Sequence, residues 1–265
     1  MINDLQKASI TKRISAYLLD FILAAIIFTG SLWLFSSVIG YDAQVDKMSE
    51  IRNEIEIEFG IPAITQKYEV TLDDFQYLTQ EQKDKIPEDV QNTMKECILA
   101  INKDSSYNKA LAIILNLTLI MISFSLLTSI LVTEFIIPLI FKNGQTLGKK
   151  IFSLGVMRND GIKISPMLLF VRAILGKYTV ETMVPMLMIF MLIFSPSIIP
   201  IAVVLILALI QIILLIVTRT NSLIHDTLSS TVVIDFASQM IFDSVEAKRE
   251  YQLRIHKEEA EKSDY

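Results

Sequence analysis

The chain has 265 residues, of which 52% are hydrophobic and 20% are charged, and its formal net charge is −5. The apolar residues stand in long blocks, which excludes an ordinary water-soluble domain and indicates membrane-spanning helices. The single cysteine, Cys97, excludes an internal disulfide and gives no basis for a redox or metal site.

The first block lies within "KRISAYLLDFILAAIIFTGSLWLF" and runs over 17–39, with Asp20 as its one charge. A charge at the centre of a bilayer costs about 2.5 to 3.5 kcal/mol, so we expect Asp20 to face a protein interior or a wet pocket. The block is longer than the apolar part of a signal peptide, about 7 to 15 residues. Residues 1–39 are therefore predicted to form a cytoplasmic head and the first transmembrane helix.

Residues 40–109 are predicted to form an extracytoplasmic insertion, mostly helical, with partial disorder as the alternative. Thr71 and Asp74 have the spacing of a capping box, and Pro87 opens a further helical segment. The insertion is either a ligand-binding element or an outward extension docked on the helix ends.

Residues 110–236 are predicted to hold the remaining spans of the membrane core. The second span covers 110–141 and has Glu134 as its one charge. The next block, 179–217, is charged only at Glu181 and, at about 1.5 Å per residue, is long enough for two crossings. Its "SPSIIP" segment supplies the break between them. The predicted fold class is an all-α membrane protein with about four transmembrane helices.

The segment 142–179 is predicted to be a basic cytoplasmic loop. It carries seven basic residues and one acid, whereas 41–109 carries eight basic and fifteen acidic residues. By the positive-inside rule this loop and both termini are cytoplasmic and the insertion lies outside, as in a multi-pass protein of the cell membrane. Further basic residues flank the first and last spans: Lys7, Lys12, Arg13 and Arg219.

The basic loop also contains a strand pattern. "IFSLGVMRNDGIKIS" alternates in polarity and has the Asp160–Gly161 pair that favours a hairpin turn. The β-branched run "STVVIDF" near the C-terminus is of similar length, so the two are predicted to form a small cytoplasmic β-hairpin element or sheet. Residues 237–265 are predicted to be a charged cytoplasmic tail forming a solvated helix.

No segment has the pattern of a catalytic or cofactor site. In "FKNGQTLGKKIF" Gly144 and Gly148 are separated by three residues instead of four, and Lys150 stands where a phosphate-binding loop needs a hydroxyl. The methionines within 183–191 have no His or Cys beside them and indicate packing, not copper binding. The sequence therefore predicts no enzyme, no cofactor and no metal centre.

Three segments together resemble a known family. "KRISAYLLDFIL", "GQTLGKKIFSLGVMRNDG" and "LIHDTLSSTVVI" are similar in order and spacing to the RDD family of bacterial membrane proteins, over about residues 8–39 and 130–236. That family is named for one arginine and two aspartates, and the resemblance matches these to Arg13, Asp20 and Asp226.

The resemblance implies little about activity. The family is mostly uncharacterised, and transport, including sodium–proton exchange, has been proposed for some members. This chain departs from the family pattern in its long segment 41–109 and in Ser229 and Ser230, which stand where small residues including glycine are common.

Two acids define the candidate site. Asp20 and Glu134 are predicted to lie at matching depth on neighbouring helices, where they could share a proton or coordinate a cation while Arg13 or Arg172 sets their affinity. In the alternative, the same residues make interhelical hydrogen bonds and ion pairs that lock the bundle. Helical side chains lean toward the N-terminus, so Arg13 points away from Asp20 and is predicted to meet Asp226 or a lipid phosphate.

Two functions follow from these alternatives. One is a small transporter of cations or protons that uses intramembrane carboxylates, with His225 beside Asp226 as either a proton relay or an ordinary hydrogen-bonded residue. The other is a non-transporting membrane scaffold or accessory subunit. The expected partners are the lipid bilayer, anionic lipid at the basic loop, and a protein partner or a second copy of the chain. Nothing in the charge distribution favours nucleic acid.

Overall fold

The computed structural model describes residues 8–194, 197–218, 220–237 and 239–263. Lys7, Arg219 and the Ser195–Pro196 part of the predicted helix break lie outside these residues. The chain divides into two compact units. We call Met1–Ser31 with Ser123–Tyr265 the core unit, and Leu32–Ile122 the insertion unit.

Among the described residues, four helices are long and apolar enough to cross a membrane, which confirms the predicted fold class. The first is α1 (Ile10–Val38). The second span comprises α7 (Ser105–Ile130), a π-helical stretch (Leu131–Ile136) and α8 (Ile137–Phe141). The third comprises α10 (Pro166–Phe170), a π-helical stretch (Val171–Met183) and α11 (Val184–Phe194), and the fourth is α12 (Ile198–Val217). The shorter core-unit helices are α9 (Leu147–Ile151), α13 (Ile224–Leu228) and α14 (Val245–Ser263).

The third span begins at Pro166, so the predicted boundary near Thr179 and the predicted loop 142–179 are wrong in extent. Ser165 caps this helix by accepting a hydrogen bond from the Leu168 N–H, and proline fits its first turn. Hydropathy alone misses the start because Arg172 and Lys177 lie inside the helix. Both side chains are paired with acids from other segments, and this pairing offsets the cost of placing them there.

The predicted sheet is present. Strand β1 (Leu154–Arg158) pairs antiparallel with β2 (Thr231–Asp235). The predicted turn also forms, because the Gly161 N–H donates to the Arg158 carbonyl at 3.0 Å and Gly161 has φ of +86°. The chain after that turn makes two isolated bridges before α10 begins, from Lys163 to Met157 and from Ile162 to Phe242, but forms no strand. The strand partner of β1 is therefore the distant β2 and not a local hairpin arm.

The sheet is buried on both faces. Leu154, Val156 and Val233 pack in one apolar cluster with residues of α1 and α10, and Met157 and Val232 belong to a second cluster. Such two-sided burial suits the continuous apolar run of β2. The sheet therefore ties the chain before the third span to the chain after the fourth.

The insertion is helical, as predicted. Its elements are α2 (Tyr41–Glu58), α3 (Ile61–Tyr68), α4 (Leu72–Tyr77), α5 (Gln80–Lys83) and α6 (Glu88–Lys103). Thr71 and Asp74 form the predicted capping box at the start of α4. Ile61, Phe75 and Met94 form a buried apolar core with Cys97, whose thiol pKa is raised by burial.

Candidate functional site

Asp20 is held by the segment "GQTLGKK". The Thr146 hydroxyl donates to Asp20 Oδ2 at 2.5 Å, and the Gly148 N–H donates to Oδ1 at 2.7 Å. Thr146 also caps α9 by accepting from the Lys149 N–H, so one hydroxyl joins the aspartate to the helix. A Cβ atom at Gly148 would lie 2.2 Å from the Ala16 carbonyl oxygen, so only glycine permits this approach.

Glu134 is held by two lysines. It lies in the π-helical stretch of the second span, where it forms an ion pair with Lys177 of the third span. Lys149 Nζ lies 3.7 Å from its other carboxylate oxygen. Burial favours the neutral form of Lys149 and lowers its pKa to about 8, although the charges of Glu134 and Asp20 oppose that shift. The second ion pair of Glu134 is therefore sensitive to mildly alkaline pH.

Asp226 sits between two arginines. Arg13 Nη2 lies 3.3 Å from Asp226 Oδ2, and Arg172 Nη2 lies 2.8 Å from Oδ1. Asp226 has no exposed surface, and its burial raises the cost of ionisation. The nearby charges of Arg172 and Arg13 help to outweigh that cost and lower the pKa of the carboxyl. Arg13 also donates to the Asn221 carbonyl at 2.7 Å, which connects the start of α1 to the loop before α13.

His225 joins two acids. Its Nδ1 lies 2.9 Å from both carboxylate oxygens of Glu181, and its Nε2 lies 3.5 Å from Asp226 Oδ1. Burial lowers the pKa of His225, so the ring is neutral at pH 7. A Cβ atom at Gly176 would lie 2.5 Å from the His225 Cβ, so glycine there allows α13 to lie against the third span.

Two cavities open among these residues. The carboxylate cavity, of about 420 Å³, is bordered by Asp20, Glu134 and Glu181. Its wall also includes the following hydroxyl and amide side chains: Ser129, Thr133, Thr182 and Gln211. The basic cavity, of about 240 Å³, is bordered by these cationic residues: Arg13, Lys149, Arg172 and Lys177. The two cavities adjoin, and their walls share five residues: Tyr17, Asp20, Lys177, Leu223 and His225.

All five predicted site residues lie in the core unit. The structure brings Arg13, Arg172 and Asp226 into one ion-pair cluster, which includes the expected Arg13–Asp226 contact. Asp20 and Glu134 border one cavity, but Asp20 is bonded to Thr146 and Glu134 to Lys177. Within the described part of the chain, the two acids are not bonded to each other. The arginines thus contact Asp226 directly, and not the two acids whose affinity the sequence predicts them to set.

Sequence reasoning misses the lysines and the glycines of the site. The charge pattern places Lys149 and Lys177 in a loop. Gly148 is noticed only because it belongs to a segment that was compared with a phosphate-binding loop and did not match. One sequence signal could have identified these residues: "GQTLGKK" belongs to the same family pattern as the intramembrane aspartate Asp20. Among the described residues, no three His, Cys, Asp or Glu side chains converge closely enough to hold a metal ion.

Four apolar helices around a charged interior define a multi-pass membrane protein. The RDD family model matches residues 7–230. The chain therefore belongs to the RDD family. No curated protein and no solved structure matches it.

Proposed function

We propose that this RDD-family protein moves protons or a small monovalent cation through the carboxylate cavity. The observation that carries the proposal is the presence of three carboxylates, Asp20, Glu134 and Glu181, in the wall of one cavity that the membrane-spanning helices border. Ionisable side chains inside a membrane protein are costly to insert and usually mark an ion or proton path.

The other groups around the cavity suit the same chemistry. Hydroxyl and amide oxygens from Ser129, Thr133, Thr182 and Gln211 border it, and hard cations prefer oxygen ligands. A cavity of about 420 Å³ has room for an ion together with several water molecules. The oxygens are spread around the wall, which favours a weakly held, mobile ion over a tightly coordinated metal.

Glu134 gives the proposal a coupling step. A proton or cation that reaches Glu134 competes with the ammonium groups of Lys177 and Lys149 for the same carboxylate. Neutralising Glu134 removes the attraction between the second and third spans, which meet there through π-helical stretches. Such stretches recur at functional sites and allow a helix to change its local register. Ion binding would then shift one span relative to the other.

In the proposal, the distribution of basic residues determines which side of the membrane each segment faces. Both termini and residues 142–165 face the cytoplasm of a cell membrane, and the helical insertion lies outside, as the positive-inside rule requires. The protein acts without enzymatic chemistry and without a cofactor.

One observation favours a second candidate, the non-transporting scaffold. Each carboxylate of the cluster already has a partner: Thr146 for Asp20, Lys177 for Glu134, His225 for Glu181 and Arg172 for Asp226. A network that serves only to lock a bundle would also be fully paired. The two candidates differ in whether the charges of Asp20 and Glu134 are needed once the protein has folded.

The test uses Asp20→Asn and Glu134→Gln, each reconstituted in proteoliposomes with a pH-sensitive dye inside. Asn at position 20 keeps an oxygen that can accept from Thr146, so folding should tolerate it better than most changes there. We expect cation-dependent proton movement, measured per amount of folded protein, to be lost in both variants. Glu250→Gln, on the exposed part of α14, is the matched control and should leave flux unchanged.

Two outcomes would contradict transport. Undiminished flux in both variants at normal yield would remove the carboxylates from the mechanism. No flux from the unmodified protein with sodium, potassium or lithium, together with lost yield in the variants, would favour the scaffold.

A further inference from the structure

We infer that the basic cavity binds the phosphate group of an anionic phospholipid. This inference does not rest on the proposed transport, because it concerns a ligand of opposite charge in the adjoining cavity, although the two cavities share Asp20, Lys177 and His225. It rests on the charges around the cavity, on an unsatisfied donor, and on the position of its opening.

The cavity is bordered by more positive than negative side chains. The acids Asp226 and Glu134, which pair with its basic residues, do not line it, so Asp20 is the one carboxylate among its described wall residues. The positive side chains of the wall are Arg13, Lys149, Arg172 and Lys177.

The other titratable groups of the wall cancel only part of this positive charge. Thr146 and Gly148 hold Asp20 through uncharged donors, so the carboxylate offsets one of the four positive charges of the wall. His225 is hydrogen-bonded to Glu181 and contributes no charge at pH 7. The side chains that line the cavity therefore favour an anion, whereas the acids paired with them, Asp226 and Glu134, lie outside its described wall.

Arg172 has a donor without an acceptor. Its Nη2 pairs with Asp226 at 2.8 Å, but its Nε is buried and has no hydrogen-bond partner among the described residues. Unsatisfied buried donors are rare in folded proteins and call for an explanation. A phosphate oxygen is a suitable acceptor, because guanidinium groups bind phosphate through adjacent N–H groups. Arg172 lines the cavity, but its Nε is fully covered, so the phosphate reaches that atom only when neighbouring side chains move.

The opening lies at the level of lipid headgroups. The cavity is bordered by Ile10, Ile14 and Tyr17 in the first turns of α1, and by Leu215 in the last turn of α12. These positions are at the ends of two membrane-spanning helices, where a bilayer presents its headgroups. Ile14 and Tyr17 are exposed and supply an apolar surface for acyl chains beside the basic interior. An apolar opening with a cationic interior fits an anionic lipid better than it fits free phosphate.

The experiment measures thermal stabilisation of the full-length protein in detergent, with lipid counted by native mass spectrometry. The probes are phosphatidylglycerol, phosphatidylcholine with the same acyl chains, and inorganic phosphate. We expect phosphatidylglycerol to raise the melting temperature and to remain bound, while the other two have little effect.

Two neighbouring lysines provide the matched variants. Lys149 borders the cavity, whereas Lys150 is exposed and its ammonium lies over the Phe141 ring. Lys149→Gln should weaken phosphatidylglycerol binding roughly fivefold, the loss expected for one basic residue near an anionic lipid surface. Lys150→Gln should leave binding unchanged. If Lys149→Gln folds poorly, Arg172→Lys keeps the charge that faces Asp226, removes the Nε donor, and should also weaken binding.

Three results would overturn the inference. Equal stabilisation by phosphatidylcholine would show that the headgroup charge is irrelevant. Equal weakening by Lys149→Gln and Lys150→Gln would assign the effect to general surface charge. Stabilisation by inorganic phosphate that also displaces phosphatidylglycerol would identify free phosphate as the ligand. Because these readouts involve no ion flux, a failure here is distinguishable from a failure of the transport proposal.

Discussion

The two units of this protein bury different kinds of side chain. The core unit buries charged residues, including Asp20, Glu134 and Asp226, whereas the core of the insertion unit is apolar and includes Phe75 and Met94. Burial of apolar surface alone stabilises a small helical unit like the insertion. The core unit instead depends on pairing each buried charge, since an unpaired one would be costly. A chain keeps such an arrangement where the charges have a use, so the core unit is the place to look for function.

The largest effect should follow from removing the acid between the two arginines. Asp226→Ala leaves Arg13 and Arg172 without their common partner, and breaking a buried pair costs about 3 to 5 kcal/mol. We expect a steep fall in the monodisperse fraction on size-exclusion chromatography. Asp160→Asn, which removes an exposed acid, should stay within about 0.5 kcal/mol of the parent protein. Equal behaviour of the two variants would contradict the charge-paired interior.

A substitution in the insertion unit tests whether apolar burial alone stabilises that unit. Met94→Ala empties a fully buried position and should cost about 2 to 5 kcal/mol. We expect increased limited proteolysis within α2–α6, with ion flux retained in proteoliposomes. Ile57→Ala, at an exposed position of α2, is the control and should change little. Loss of flux in Met94→Ala at full protein yield would show that the insertion takes part in transport.

Glycine at position 148 should be irreplaceable. A Cβ there would lie 2.2 Å from the Ala16 carbonyl oxygen, so Gly148→Ala must push the loop away from α1 and break the Asp20 contacts. Overpacking of this kind costs about 1 to 3 kcal/mol. Gly30→Ala is a matched control on α1, because a Cβ at that position would meet open space within 4 Å. Gly30→Ala should be neutral or slightly stabilising in thermal unfolding. If Gly30→Ala lowered the melting temperature more than Gly148→Ala, the close approach of Gly148 to Ala16 would be contradicted.

The smallest effect is a pH dependence that belongs to Lys149. Its pKa is about 8 in the folded protein, below the usual value of 10.5, so the unfolded chain holds more protons between these values. Stability should therefore rise with pH in that window, by about 1 kcal/mol from pH 7 to pH 9. Lys149→Met should lose this contribution. Thermal unfolding of both proteins at the two pH values measures the difference, and identical pH profiles would argue against it.

Part of the candidate site could be predicted because it violates a simple rule. Asp20 and Glu134 are single charges in apolar runs, and that anomaly is visible without any structure. The pairing of Arg13 with Asp226 is one of the two contacts predicted for that arginine, the other being a lipid phosphate. The partners of Asp20 did not follow, because Thr146 and Gly148 are 126 and 128 residues away in the chain.

Local sequence is sufficient to predict the number of membrane helices, the helical insertion with its Thr71 cap, and the two strands, since each depends on apolar pattern or capping chemistry. The folded arrangement was needed to show that the third span begins at Pro166, that β1 and β2 pair antiparallel with Val156 opposite Val233, and that Lys177 faces Glu134. These three features have a common cause. A charge or a strand edge is costly until a distant group satisfies it, and local sequence carries no information about which distant group that is.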